Sequence, residues 1–190
     1  MKAFSLIELL TVIAILAILA VVAIPAVQSI EVAQSLNRGA SLVEDQFALA
    51  RQTAIARNRG IEVRLVELSD TSGTGIRGIQ LWIESEDGST LSAFSRLESL
   101  PSTIIISQNP ALSPLLTAEP DRAGSAVFSG QGQRNYRAFR IRPSGSLDSL
   151  VNTTNNFLTI CTPRDVSAPP QNYATLRINP VTGRVTQYRP

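Results

Sequence analysis

The pattern of apolar and polar positions divides the chain into three stretches, of which the first is almost wholly apolar. From Phe4 to Val27 the sequence reads FSLIELLTVIAILAILAVVAIPAV, which predicts a helix that is hydrophobic on every side. About 24 helical residues extend roughly 36 Å, enough to cross a hydrocarbon layer of about 30 Å. Lys2 precedes this run, and its charge favours a cytoplasmic N-terminus with the rest of the chain outside the cytoplasm.

Two residues do not suit an ordinary membrane span. Glu8 lies inside the apolar run, where an unpaired carboxylate costs on the order of a few kcal/mol, so it predicts a paired, functional acid. Pro25 removes a helix hydrogen bond and predicts a kink or a locally melted segment. The alternative is a secretory signal peptide with Val21-Val22-Ala23 before its cleavage site. Glu8 argues against it, since a carboxylate has no purpose in a discarded segment.

Beyond Pro25 the pattern becomes amphipathic and predicts that the helix continues to about Asn58. The apolar positions that recur at spacings of four and three are Leu36, Ala40, Val43, Phe47, Ala50 and Ala54. Such a stripe predicts that one face of this half of the helix packs on a domain. Gly60 is predicted to end the helix, because glycine adopts a left-handed conformation at low cost.

From Ile61 onward, short alternating or β-branched runs separated by turn residues predict eight or nine strands. The predicted strands are 61–68, 79–84, 90–97, 102–107, 125–129, 136–142, 157–161, 173–179 and 184–189, with loops at 108–124 and 166–171 and a hairpin turn at 86–88. The predicted fold class is therefore α+β, in which a long N-terminal helix, part membrane helix and part amphipathic helix, packs on an antiparallel β-sheet domain.

The composition argues against catalysis and against a metal centre. The chain has no histidine, which removes the commonest general base and the commonest metal ligand. Cys161 is the single cysteine; it lies in an apolar run and is predicted to be a buried, inert thiol. A net charge of +2 gives no strong field toward nucleic acid. We predict no enzymatic activity, no cofactor and no metal site.

The N-terminal residues resemble the class III signal of type IV prepilins. Met1-Lys2-Ala3 precedes Phe4-Ser5-Leu6-Ile7-Glu8-Leu9, and Pro25 stands at the distance typical of that family. The resemblance implies that prepilin peptidase cuts between Ala3 and Phe4, that Phe4 is N-methylated, and that its new amine pairs with Glu8 of a neighbouring subunit in a filament. The family usually has glycine where this chain has Ala3. The structural alternative for Glu8 is a carboxylate that snorkels to the membrane surface.

The resemblance also implies a division of the chain and a pilin fold. Residues 1–3 would be the leader peptide and 4–28 the hydrophobic helix of the membrane or filament core. Residues 29–60 would be the amphipathic helix, and 61–190 a β-rich head domain. The protein would be a single-pass protein of the inner (cytoplasmic) membrane, with its C-terminal domain outside the cytoplasm, before it joins a pilus or pseudopilus.

Two further stretches resemble the GspH/FimT family of minor pilins and pseudopilins. They are residues 49–59, followed by a predicted strand, and residues 176–185. The chain is also similar to the prepilin-like proteins called Verru_Chthon cassette protein D. The resemblance implies a structural minor subunit of a type IV pilus or a type II secretion pseudopilus, whose partners are other pilin or pseudopilin subunits.

The C-terminal strand pair suggests a different function. Gly183-Arg184-Val185-Thr186 is similar to a Gly-Arg-x-Arg motif with which some FimT-like minor pilins bind DNA, although Thr186 replaces the second arginine. Arg177, Arg184 and Arg189, with Tyr188 as a stacking surface, are predicted to contact phosphates. The alternative is a closing hairpin with Gly183 in its turn and arginines in water. A DNA-binding tip subunit, and an anchored periplasmic protein that does not polymerise, are the alternative functions.

Overall fold

The computed structural model describes residues 5–71, 73–117, 123–148, 155–165 and 169–189, without the side chains of residues 22–29 and 117. The chain divides into two compact units, Met1–Gln34 and Ser35–Pro190. The helix α1 runs from Leu6 to Arg57, so the first unit is helical wherever it is described after Ser5. The second unit contains the remainder of α1 and all the strands. The predicted domain boundaries stay predictions.

The described part of the chain contains two helices and ten strands. In chain order they are α1 (Leu6–Arg57), β1 (Ile61–Asp70), β2 (Gly73–Glu84), β3 (Leu91–Ala93), β4 (Glu98–Ser99), β5 (Ile105–Ile106), α2 (Pro114–Thr117), β6 (Ala123–Phe128), β7 (Gly132–Ile141), β8 (Phe157–Cys161), β9 (Tyr173–Ile178) and β10 (Val185–Tyr188).

All ten strands belong to one antiparallel sheet. Eight of them follow the order β10-β9-β8-β5-β2-β1-β7-β6, and β3 and β4 also pair with β2. The longest ladder joins β1 to β2 from the Ile61–Ile83 pair to the Asp70–Gly73 pair, with a bulge after Val66. In the part of the chain that the structure describes, the β8–β9–β10 group joins β2 through the two residues of β5.

The predicted fold class is wrong. The described part of the chain has more residues in strands than in helices, its strands form one ten-stranded sheet, and it is not a pilin fold in which a long helix packs on a small sheet. The apolar pattern marks only part of each long strand. β1 and β2 extend beyond it through polar and glycine residues at 69–70 and 73–78, because pairing satisfies their backbone groups whatever their side chains are.

The shorter elements also differ from the prediction. The strand predicted at 90–97 is two strands, β3 and β4, and the one predicted at 102–107 is paired only at Ile105 and Ile106. The predicted loop at 108–124 contains α2 and the start of β6. Part of the other predicted loop, residues 166–168, lies outside the described residues. The strand predicted at 157–161 is confirmed.

The residue that ends α1 in a left-handed conformation is Asn58, with a φ of 51°, and not Gly60 as predicted. Gly60 instead leaves room for two neighbouring side chains. A Cβ at this position would lie 2.2 Å from Glu84 Oε2 and 3.0 Å from Arg140 Nε. Glu84 and Arg140 form an ion pair, so glycine lets the backbone after α1 pass close to two paired side chains.

The main core lies between the sheet and the amphipathic part of α1. The predicted stripe is confirmed, since every one of its side chains is fully buried: Leu36, Ala40, Val43, Phe47, Ala50 and Ala54. The Phe47 ring lies 6.3 Å from that of Phe139, centroid to centroid. Phe139 pairs with Val63 of β1, so the odd-numbered residues at the start of β1 face the helix.

The opposite face of the sheet carries a smaller cluster. Val66, Leu68 and Phe128 are buried there, and Trp82 and Tyr136 pack against them. The buried Arg64 lies between two rings, with its Cζ 3.8 Å from the Trp82 centroid and 4.2 Å from the Tyr136 centroid. Its Nε donates to Glu62 Oε1 at 2.5 Å. Two aromatic faces and one carboxylate thus stabilise a guanidinium that has lost its water.

Candidate functional site

The first unit presents an unusual helical surface. Its apolar side chains between Leu6 and Val21 are exposed on every side of α1, with exposed fractions from 45% at Val12 to 81% at Leu6. A helix that is apolar all round is stable only in apolar surroundings. Among the residues that the structure describes, no helix meets the length and hydropathy of a membrane span.

Glu8 lies in the first turn of α1, and its side chain is exposed among these apolar residues. No described residue pairs with its carboxylate. A negative charge in the first turn of a helix interacts favourably with the unpaired backbone N–H groups there. Thr11 donates its hydroxyl to the Glu8 carbonyl oxygen at 2.9 Å, so its polar group is satisfied within the helix.

The other predicted N-terminal site residues are described in part or not at all. Ala3 and Phe4, the predicted cleavage and methylation residues, lie outside the described residues. Pro25 lies within α1, which is helical on both sides of it and through it. Local melting at Pro25 is therefore not observed.

The structure divides the predicted arginine patch between the two faces of the β9–β10 pair. Arg177 and Tyr188 are exposed on the face away from α1, where Arg177 pairs across the strands with Thr186. A hollow of about 260 Å³ on this face is lined by Arg177, Ile178, Asn179, Pro180, Thr186 and Tyr188. Arg189 instead donates hydrogen bonds to Asn37 of α1 and to Asn172.

Arg184, the fourth predicted site residue, borders a second hollow on the α1 side. This α1–β10 groove has a volume of about 260 Å³ and is lined by Glu44, Ala48, Arg51, Gln52, Gly183, Arg184 and Val185. Arg51 Nε donates to the Thr182 carbonyl oxygen at 2.7 Å, so the helix holds the β9–β10 turn in place. Arg184 thus lines the same groove as Arg51 and Glu44, whereas Arg177 and Tyr188 line the other hollow.

The turn that forms one wall of this groove is stabilised by hydrogen bonds among its own residues. Gly183 has a φ of +64°, which confirms its predicted place in a turn. Its N–H donates to the Asn179 carbonyl oxygen at 2.8 Å. The Asn179 side chain accepts from the N–H groups of Val181 and Thr182 at 2.9 and 3.0 Å. These hydrogen bonds fix the position from which Arg184 extends.

Sequence reasoning did not select Arg51 or Glu44 as functional residues. Both residues belong to α1 and lie off its buried apolar stripe. Arg51 and Thr182 are 131 positions apart, and no local pattern in the sequence predicts that they meet. The sequence offers only an indirect indication. Charged residues next to the buried face of a helix lie at the border of its contact with the sheet.

Cys161 is buried at the end of β8, as predicted. Burial, and to a lesser extent the charge of Asp165, raises the pKa of its thiol from 9.0 to about 11, against a hydrogen bond with Ser107 that lowers it. Because the folded pKa is raised, the thiol favours the folded state below about pH 9, and this contribution is lost as the pH rises toward about 11. The described residues contain no group of three or more His, Cys, Asp or Glu side chains that could hold a metal ion.

We expect Cys161 to react with iodoacetamide at pH 8 at least about a hundredfold more slowly than a free thiol, because a pKa raised by two units lowers the thiolate fraction by that factor and burial lowers access further. The measurement is the rate of mass gain of the intact chain. In denaturing urea the same thiol should react at the rate of an exposed cysteine. Equal rates in both conditions would contradict the buried position.

No protein-family model matches the sequence, and no curated protein matches it either.

Proposed function

We propose that this chain is a structural assembly subunit of a type IV pilus or type II secretion pseudopilus, held in the inner membrane by its apolar helix and then packed through that helix into a filament. The observation that carries the proposal is the exposed apolar surface of α1 between Leu6 and Val21, with one carboxylate, Glu8, inside it. Prepilin peptidase would cut before Phe4, and the other subunits of the filament would be the partners.

The apolar surface needs a partner for a simple energetic reason. Burying one leucine or isoleucine side chain contributes about 1.5–3 kcal/mol, and every large apolar side chain from Leu6 to Val21 is exposed in the isolated chain. Their sum exceeds the 5–15 kcal/mol or so that stabilises a whole domain. Lipid in the precursor and neighbouring helices in the filament would each supply the apolar surroundings.

Glu8 favours a filament subunit over a membrane-anchored protein that does not polymerise. A lone carboxylate in an apolar bundle is costly, whereas a carboxylate that meets a cation is not. Cleavage between Ala3 and Phe4 would create such a cation, the amine of Phe4. If the amine of one subunit meets Glu8 of the next, the pair sets the axial offset between them. An anchored protein that does not polymerise has no need of Glu8.

We do not adopt the alternative of a DNA-binding tip subunit. A patch that follows a nucleic-acid backbone needs its cations and its aromatic ring on one surface. Here Arg177 and Tyr188 lie on one face of the β9–β10 pair, whereas Arg184 and Arg189 border α1 on the other.

The intact mass of the chain purified from membranes of its own host tests the proposal. We expect a mass that corresponds to a start at Phe4, with or without one methyl group. The matched control is a chain with Phe4 and Glu8 both replaced by Ala, which should keep its leader. A start after Ala23 or Ala26 would identify a secretory signal peptide and would overturn the proposal.

A further inference from the structure

We propose that the α1–β10 groove of one copy receives the β2–β3 hairpin tip of a second copy, so that neighbouring subunits join head to tail. The tip is the acidic turn formed by Glu86, Asp87 and Gly88. This inference rests on the proposed function, because it names a contact that the second units of adjacent subunits make once their helices assemble.

The groove lining carries a net positive charge, with two arginines against one glutamate. Arg184 is exposed, and its guanidinium has no partner among the described residues. Arg51 uses its Nε to hold the Thr182 carbonyl oxygen, which fixes the direction in which its terminal nitrogens point. Glu44 is the acid in the lining, against two arginines. A carboxylate that enters here meets two guanidinium groups, whose planar donors suit it.

The size of the groove favours a protruding turn over a small molecule. Its volume of about 260 Å³ lies below the range of about 300–1,000 Å³ that is usual for pockets holding drug-sized ligands. Ala48 and Val185 give it an apolar wall beside the arginines. An acidic side chain on a tight turn would place its carboxylate at the arginines and its backbone against that wall.

The hairpin tip has the complementary form. Glu86 is 86% exposed and pairs with Arg59 at its base. Asp87 Oδ1 accepts from Ser85 Oγ at 2.5 Å and from Ser89 N at 3.1 Å, and its Oδ2 accepts from Ser89 Oγ at 2.7 Å. Hydrogen bonds from Ser85 and then Ser89 lower the pKa of Asp87 to about 2, so it is charged at neutral pH. Because the turn is already ordered, little entropy is lost when it binds.

The placement of the two features suits copies that are displaced along α1. The groove lies beside residues 44–52, whereas Glu84, at the base of the hairpin, donates its N–H to Gly60 just after the helix at 3.0 Å. The groove and the hairpin tip are therefore different surface patches at different positions along the axis of α1. A contact between different patches does not close on itself as a two-fold dimer does, and it repeats along one direction. A helical filament imposes the same kind of displacement.

Disulfide cross-linking between two populations of full-length chain tests the contact. One population carries Gln52→Cys in the groove, and the other carries Thr90→Cys beside the tip; Cys161 is buried and does not compete. After the two are mixed in detergent and reconstituted into vesicles, we expect dimers that contain one chain of each kind. Either population alone should give at least about tenfold fewer dimers.

Charge reversal then separates a specific contact from chance proximity. Asp87→Arg in the Thr90→Cys chain, or Arg184→Glu in the Gln52→Cys chain, should lower the dimer yield about tenfold or more, since like charges then face each other. Mixing the two reversed chains should restore it. Glu98→Arg and Arg164→Glu, exposed charges elsewhere in the second unit, are the matched controls and should leave the yield unchanged.

Three outcomes would overturn the inference. One is that chains sediment as assemblies but give no mixed dimer, which leaves the proposed function standing. Another is that reversal lowers the yield and the double reversal does not restore it, which assigns Arg184 to a different partner, such as an acidic segment of another protein. A third is that the chains do not assemble at all, in which case the proposed function fails as well.

Discussion

Replacement of Phe47 by Ala is expected to lower the free energy of unfolding by about 3–5 kcal/mol, the range typical of a buried phenylalanine reduced to a methyl group. Phe47 is completely buried between α1 and the sheet, and its ring contacts that of Phe139. The loss combines the transfer of the ring from water with the cavity left in a rigid core. It is a large part of the stability of a typical domain.

Urea unfolding of the full chain in a mild detergent, followed by the fluorescence of Trp82, measures this change. Trp82 is the single tryptophan of the chain and packs on the opposite face of the sheet, so it reports the unfolding of the sheet rather than a local change at Phe47. The matched control is Leu49→Ala on the exposed side of the same helix, which should change the stability by about 0.5 kcal/mol or less. Equal effects of the two substitutions would mean that Phe47 is not a core residue.

Replacement of Glu8 by Ala is expected to lower the yield of assembled filament by about a hundredfold or more while leaving membrane insertion intact. In the proposed filament, the substitution leaves the amine of a neighbouring Phe4 buried without a partner. Breaking a buried ion pair in this way costs about 3–5 kcal/mol, and each 1.4 kcal/mol or so is tenfold in an equilibrium constant. Insertion does not suffer, because a methyl group enters lipid more readily than a carboxylate.

The comparison is made in the native host, with the membrane-bound and the filament fractions of each variant measured separately. Glu31→Ala removes an exposed acid from the same helix and is the matched control, with assembly expected near the level of the unmodified chain. If Glu8→Ala assembles normally, the charge has no role in register, and anchoring without polymerisation becomes the better account. If both variants fail to insert, the helix itself has been disturbed.

The sequence alone predicts the features of this fold that depend on local patterns. The spacing of Leu36, Val43 and Phe47 specifies the buried face of α1, because a helix repeats every 3.6 residues whatever it packs on. β8 is predicted at its observed bounds, since its apolar run and its pairing end together. Gly183 is predicted in a turn because few other residues accept a positive φ at low cost.

The extent of the sheet could not be predicted, and the fold class was wrong for that reason. Strand pairing is a long-range property. Gly73 to Gly78 is polar and glycine-rich and does not read as a strand, but it is paired with β1 along its length. β4 and β5 consist of two residues each, too short to show any alternation. They are strands because they pair with the edge of β2, which lies about 20 to 30 residues earlier in the sequence.

The candidate site residues also differ in whether a local sequence pattern reveals them. Glu8 was found from sequence because an acid inside an apolar run is unusual on local grounds. The arginine patch was predicted by assuming that neighbouring strands present their arginines together. Strand alternation instead assigns Arg177 and Tyr188 to one face, and the short turn before β10 directs Arg184 to the other. The approach of Arg51 to that turn depends on how α1 crosses the sheet, which no local pattern contains.

The two-residue strand β5 has a mechanical consequence. It is the link through which β8, β9 and β10 join the rest of the sheet, and it contacts β2 through the single Ile76–Ile106 pair. The β1–β2 ladder, by contrast, pairs ten residues of each strand. Under a pulling force, a sheet opens where the fewest hydrogen bonds share the load, and such openings follow contiguous structural units. In a subunit under tension in the proposed filament, the β2–β5 pairing would therefore be the first part of the sheet to open, while the hydrogen bonds from Arg51 and Arg189 still join the C-terminal strands to α1.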